Sequence, residues 1–138
     1  MNLNAYLSFN GQCEQAFLFY EKVLGGKIEF LHRYAGSPMA EHCPPEWSEK
    51  IMHMRMTIDG HVLMGSDGMP GQSDGPIQGI SLSLNIAEPE EAERIFNLLA
   101  DNAKAIIMPI QATFWAKKFG MLTDQFGVPW MVNCEQPV

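Results

Sequence analysis

The feature that most limits what this chain can fold into is an order of elements that occurs twice. An alternating stretch leads into a helix, then into a second strand and a hairpin, and the whole plan recurs at an offset of about 76 residues. In the first half, residues 4–9 (NAYLSF) alternate with period two and read as a strand. Asn10 and Gly11 open a helix to about Leu24, with Ala16, Phe17, Tyr20 and Leu24 on one face and Gly25-Gly26 as its stop. KIEFLHRY (27–34) is a strand, a loop with Pro and Gly runs to about Glu49, and KIMHMRMTIDGHVLMGSD (50–67) is a hairpin turning at Asp59-Gly60. In the second half, IQGISLSLNI (77–86) is the strand, and Glu88-Pro89-Glu90-Glu91 starts a helix with proline and acids in its first turn. Ala92, Ile95, Phe96 and Leu99 form that helix's apolar stripe. A strand over 104–112 and a hairpin within FWAKKFGMLTDQFGVPWMVN (114–133) close the plan.

One strand-helix-hairpin module of this size leaves one face of its sheet uncovered, and a second copy supplies the partner. The expected fold is therefore α+β, two βαβββ modules, module one over about 1–68 and module two over about 77–136. GMPGQSDGP (68–76) is the linker by composition.

Charge narrows the partners. A net charge of -7 works against nucleic acid and anionic lipid, whose phosphates would be repelled. No apolar run approaches the eighteen or so residues of a membrane helix, and no secretory leader pattern stands at Met1. Three cysteines, Cys13, Cys43 and Cys134, give an odd count without C-x-x-C spacing, which argues for apolar fillers in a reducing, cytoplasmic setting.

YLSFNGQCEQAFLFYEKVLGG near the start, HMRMTIDGHVLMGSD in the middle and TFWAKKFGMLTDQFGVPWMVN at the end resemble the PhnB-like branch of the vicinal-oxygen-chelate superfamily. That superfamily includes glyoxalases, bleomycin-resistance proteins and dihydroxybiphenyl dioxygenases, and this branch is sometimes labelled 3-demethylubiquinone-9 3-methyltransferase. The resemblance covers nearly the whole chain. It implies the glyoxalase/bleomycin resistance fold, with the curved sheets of the two modules around a cavity, a homodimer that binds a small molecule, and a divalent metal held by one residue from each of four strands. On the matching positions of this chain, about Asn4, Met64, Ser81 and Met131, the side chains are poor ligands for a hard or borderline dication. The reading is a small-molecule-binding protein with no cofactor. The alternatives are a metal-dependent lyase, isomerase or dioxygenase of the same superfamily, and a structural or partner-binding module. Methyl transfer is not expected, because no glycine-rich turn leads from a strand into a helix.

Candidate ligand contacts follow from alternation. His53 and Arg55 share one strand face, opposite Met52, Met54, Met56 and Ile58. If the methionines pack on helix, the pair faces the cavity, where it either binds an anionic or oxygen-rich ligand or joins a buried network with a carboxylate. Tyr6, Ser81 and Ser83 fall on the same side of their strands, and the ring of Trp115 lies where it can wall the site. His32 and His61 read as edge or surface residues. Glu41, His42, Cys43 and Glu46 cluster in a proline-bearing loop that reads as solvated rather than as a metal site. The ten methionines are first of all core fillers.

Overall fold

The computed structural model describes residues 1–71 and 75–136. These residues fall into two compact units, Met1–Gly75 and Pro76–Val138. Of the linker expected over 68–76, residues 72–74 lie outside the described residues.

The first unit contains β1 (Ala5–Phe9), α1 (Cys13–Leu24), β2 (Lys27–Arg33), β3 (Ile51–Ile58) and β4 (His61–Asp67). Two single 3-10 turns, Ala40–His42 and Pro45–Trp47, interrupt the long loop after β2. The sheet runs in the order β1-β4-β3-β2, with β1 parallel to β4 and the other pairs antiparallel. At the β3–β4 hairpin Asp59 and Gly60 both have positive φ, 48° and 81°, the pair of left-handed conformations whose twist suits a two-residue connection.

α1 buries Cys13, Ala16, Phe17, Tyr20 and Val23 against Leu7, Met54, Met56 and Leu63 of the sheet. Spacing of three and four residues places them on one stripe; Val23 rather than Leu24 completes it, since Leu24 is only half-buried. The helix lies close because Gly65 has no side chain: a Cβ there would sit 2.8 Å from the Phe17 ring. α1 ends on Gly25 in the left-handed region, whose N–H donates to the Glu21 carbonyl. No side chain of its own caps the other end. Instead the buried carboxylate of Asp67 reaches across, accepting from the N–H groups of Gly11 and Cys13 on Oδ1 and of Ile51 on Oδ2, all at 2.9 Å.

The second unit contains β5 (Leu82–Asn85), α2 (Pro89–Leu99), β6 (Ala105–Gln111), β7 (Ala116–Thr123) and β8 (Pro129–Glu135), in the sheet order β5-β8-β7-β6. The strand expected over 77–86 is shorter, because pairing with β8 begins only at Leu82 and Gly79 adopts φ 79°. α2 buries the stripe expected of it, Ala92, Ile95, Phe96 and Leu99. Gly120 repeats the device of Gly65: its missing Cβ would lie 2.6 Å from the Phe96 ring. The turn between β7 and β8 is held by Asp124, which is fully buried. Its Oδ1 accepts from the N–H groups of Phe126 and Val128 at 2.8 and 3.0 Å, and its Oδ2 accepts from the Trp130 indole N–H at 2.8 Å.

Two consequences for stability follow. Replacing Asp67 by Asn puts an NH2 group against a backbone N–H donor in a buried site, and we expect a loss of at least about 2 kcal/mol in urea unfolding. Arg33 forms a two-bond contact with Glu14, at 2.9 and 3.0 Å. The hydrogen bond from Arg33 holds the Glu14 carboxyl below its ordinary range. A depressed carboxylate stabilises the fold above its unfolded pKa and loses that contribution as pH falls through the folded one. Glu14→Gln should therefore cost up to about 1 kcal/mol at neutral pH, the group being partly exposed. The difference from wild type should close below about pH 4.

Candidate functional site

In each unit the helix covers one face of the sheet, and alternation sends every second side chain to the opposite face. On the first unit that open face has a row in register across all four strands: Tyr6 beside Met64, Met64 beside Arg55, Arg55 beside Phe30. A second row brings Ser8 beside Ser66 and His53 beside His32.

Two irregularities shape this face. Ile28 pairs with Met56 and Phe30 with Arg55, so Glu29 is an extra residue in β2, and both Glu29 and Phe30 point outward. Glu29 thereby reaches Arg55, whose Nε donates to Oε1 at 3.0 Å. In β3, Arg33 pairs with Ile51 and His32 with His53, leaving Met52 unopposed. The expected face of Met52, Met54, Met56 and Ile58 is corrected accordingly. Met54 and Met56 are buried, but the bulge brings Ile51 to the helix side in place of Met52. Met52 instead lines an open groove of about 470 Å³ with His32, Arg33, Gly36 and Pro38. Ile58, at the turn, is half-buried.

His53 lies between two rings. The Tyr6 hydroxyl and His53 Nδ1 share a hydrogen bond of 3.1 Å, and their rings stack at 5.6 Å with 14° between planes. Phe30 is tilted toward His53 at 5.6 Å and toward His32 at 5.3 Å. Tyr6 and Phe30 keep 47% and 40% of their surface exposed.

The open face of the second unit has a different chemistry. One row sets Ser83 beside Met131, Met131 beside Met121 and Met121 beside Met108. The next sets Asn85 beside Asn133, Asn133 beside Phe119 and Phe119 beside Gln111. Neither row contains a charged side chain. Trp115 covers Phe119 edge to face at 5.4 Å and meets the exposed Phe114 at 4.8 Å. Asn133 Nδ2 donates to Asn85 Oδ1 at 3.1 Å, while its own Oδ1 is buried with no hydrogen-bond partner among the described residues.

Of the candidate contacts, Tyr6, His53 and Arg55 gather on the first unit's open face, and Ser83 and Trp115 stand on the second's. Ser81 precedes β5 and is half-buried. Glu29 and Phe30 escaped the sequence reading, because the β2 bulge that turns them to one side has no local signature; His32, read as an edge or surface residue, is exposed on the edge strand β2. His42, Glu41 and Glu46 are exposed, and the Cys43 thiol donates to the Ala40 carbonyl at 3.5 Å. Among the described residues no three His, Cys, Asp or Glu side chains gather to hold a metal. Cys13 is fully buried, and burial first, then the charges of Asp67 and Glu14, pushes its thiol far up, so it is an inert filler.

Of the four positions at which the resemblance would put the superfamily's metal, Asn4 and Ser81 precede their strands, while Met64 and Met131 stand on the open faces. An amide, a hydroxyl and two thioethers supply neither the negative charge nor the imidazole nitrogen that a zinc, nickel or iron(II) site needs. These residues do not fit the metal.

The family described as 3-demethylubiquinone-9 3-methyltransferase matches residues 2–133. The chain belongs to this family, the PhnB-like branch of the vicinal-oxygen-chelate superfamily. Protein YjdN of Escherichia coli is 39% identical over 141 residues, covering 96% of this chain and 95% of that protein. The crystal structure of protein PA1353 from Pseudomonas aeruginosa superposes with a TM-score of 0.89 at 45% identity, over 99% of both chains. A Bacillus cereus protein described as a putative 3-demethylubiquinone-9 3-methyltransferase, PhnB protein, gives 0.79 at 26% identity, over 97% and 99%. The fold alone is shared with a glyoxylase/bleomycin resistance protein/dioxygenase domain from Frankia, at 12% identity and TM-score 0.66, over 99% and 98% of the chains. The chain is thus a PhnB-like member with two βαβββ modules.

The guanidinium of Arg55 was expected to be buried, but 41% of its side chain is exposed, as is 40% of Glu29's. An ion pair open to water is worth up to about 1 kcal/mol. Arg55→Met should therefore shift the free energy of unfolding by less than about 1 kcal/mol, checked by urea titration. A loss of 3 kcal/mol or more, the cost of stranding a buried charge, would contradict this placement.

Proposed function

We propose that this PhnB-like protein binds a small molecule on the open faces of its sheets, without the divalent metal of its superfamily. The observation that carries the reading is the first unit's open face. Hydrogen-bonding groups of four kinds, guanidinium, imidazole, phenol and hydroxyl, stand there beside exposed rings, none of them needed for the packing of α1. The candidate contacts are Tyr6, His53 and Arg55 on the first unit and, taken by itself, Ser81, Ser83 and Trp115 on the second.

Binding is favoured over methyl transfer for a topological reason. β1 passes into α1 through Asn10-Gly11-Gln12, and β5 into α2 through Ile86-Ala87-Glu88; neither connection is a glycine-rich turn. The sheet orders also lack the doubly wound parallel arrangement whose switch point holds nucleotide-type cofactors. A cytoplasmic setting is supported by three free cysteines, none paired with another. A homodimer is supported by exposed apolar side chains, among them Leu3, Ile80, Ile107 and Phe114, which a second copy would cover.

Protein purified and dialysed without chelator should contain well under one equivalent of zinc, nickel, iron or manganese. Its thermal midpoint should rise with at least one member of a panel of small organic acids and alcohols. Stoichiometric metal whose removal lowers the midpoint would replace this reading with that of a metal-dependent enzyme. Light scattering should give a mass near twice 15.5 kDa.

A further inference from the structure

Resting on the small-molecule reading, we propose that the open face of the first unit takes a planar aromatic carboxylate at Arg55, and that Glu29 occupies the carboxylate position until the ligand displaces it. The guanidinium carries five N–H donors in a planar fork. Only Nε is used, by Glu29; Nη1 and Nη2 have no hydrogen-bond partner among the described residues. The contact is therefore one bond where a carboxylate can make two. The bulge explains how Glu29 comes to lie there, because regular alternation would turn either Glu29 or Phe30 toward α1 rather than both outward.

Charge favours an anion on this face. Lys27, opposite Thr57 in register, joins Arg55, His53 and His32, and Glu29 is the one acid on the open side of the four strands among the described residues. This concentration of cationic and imidazole groups belongs to a chain of net charge -7. Neutralise Glu29, and the face is left with an unopposed cationic fork.

Ring size follows from the register. Arg55 is one strand, about 4.8 Å, from Phe30 and two strands from Tyr6 on the other side. A single aromatic ring resting on Phe30 or on Met64 sets a carboxylate attached to it within reach of the guanidinium. Histidine and tyrosine can then hydrogen-bond a second oxygen substituent. Fork-to-fork pairing with the ligand gains a hydrogen bond over the Glu29 contact, and stacking adds to it.

The test measures benzoate binding by isothermal titration and by chemical-shift titration, with acetate and benzyl alcohol as controls, on wild type, Glu29→Gln, Arg55→Met and Phe30→Leu. Glu29→Gln should tighten benzoate by about threefold or more, the worth of an exposed competitor. Arg55→Met should weaken it by about tenfold or more. Phe30→Leu should narrow the preference for benzoate over acetate. Circular dichroism of each variant checks the fold, and Arg55→Lys, which keeps the charge but not the fork, stands in if Arg55→Met does not fold; it too should weaken binding. Benzoate affinity equal in all variants places the anion elsewhere and overturns the proposal. So does a Glu29→Gln protein that binds no benzoate while benzyl alcohol still binds, a result that leaves the small-molecule reading intact. If none of the three probes binds any variant, the proposal is overturned, and the broader reading then stands or falls on the wider panel.

Discussion

A single buried carboxylate holds the first unit in register. Asp67 ends β4, yet its oxygens satisfy N–H groups from the β1–α1 connection and from the first residue of β3. Burying a charge is costly unless hydrogen bonds replace its hydration, and three well-placed donors do so here. Around it the same corner is tied further. Tyr34 donates its hydroxyl to the Asp67 carbonyl at 2.6 Å, Trp47 donates its indole N–H to the Gly68 carbonyl at 3.0 Å, and Lys50 Nζ donates to the Gly11 carbonyl at 3.0 Å. The long loop after β2 is thus fixed to the end of the sheet, although it contains little regular structure. Asp124 does the equivalent work in the second unit, with an indole in place of the third backbone N–H. Both acids lie at strand ends, so their constraint falls on where strands begin, and strand position decides which side chains reach the open face.

This accounts for the part of the sequence that carries the family resemblance best. In Asp124-Gln125-Phe126-Gly127-Val128-Pro129-Trp130 every distinctive residue has a local structural task. Asp124 accepts, Gly127 adopts φ 88°, and Trp130 is buried and donates to the acid. A motif that identifies a family can therefore be silent about its ligand. The side chains that alternate to the open face lie one and three positions beyond it, at Met131 and Asn133.

How much was legible follows the range of each interaction. The helices, the Asp59-Gly60 hairpin and the α2 stripe are written in spacing within one segment, and each is found where spacing puts it. The bulges at Glu29 and Met52 are properties of a pair of strands, and nothing within β2 or β3 alone marks them. They are also what separates the site as found from the site as read. Without them Glu29 would not lie beside Arg55, and Met52 would be a core residue. The late start of β5 at Leu82 has the same origin, since a strand extends only as far as its neighbour does. Tyr6, His53 and Arg55 were legible because β1 and the middle of β3 alternate without interruption.

The exposed pairing of Arg55 with Glu29 makes physical sense for a surface that must exchange partners. A guanidinium sealed among apolar groups with its carboxylate would be difficult to part from it, because each charge left alone would cost several kcal/mol. A wholly unpaired arginine on a sheet face would bind any anion in solution. Half-exposed, and held by one hydrogen bond from a residue that a bulge delivers, Arg55 sits between these limits. Water screens the pair, so separating the charges costs little, while the carboxylate still opposes ligands that offer only a charge. To displace it an anion must bring something more, and the rings of Phe30 and Tyr6 supply the surface on which to bring it. Selectivity on this face then rests on the sum of a second hydrogen bond and a stacked ring, neither of which needs the metal that Asn4, Met64, Ser81 and Met131 are unsuited to hold.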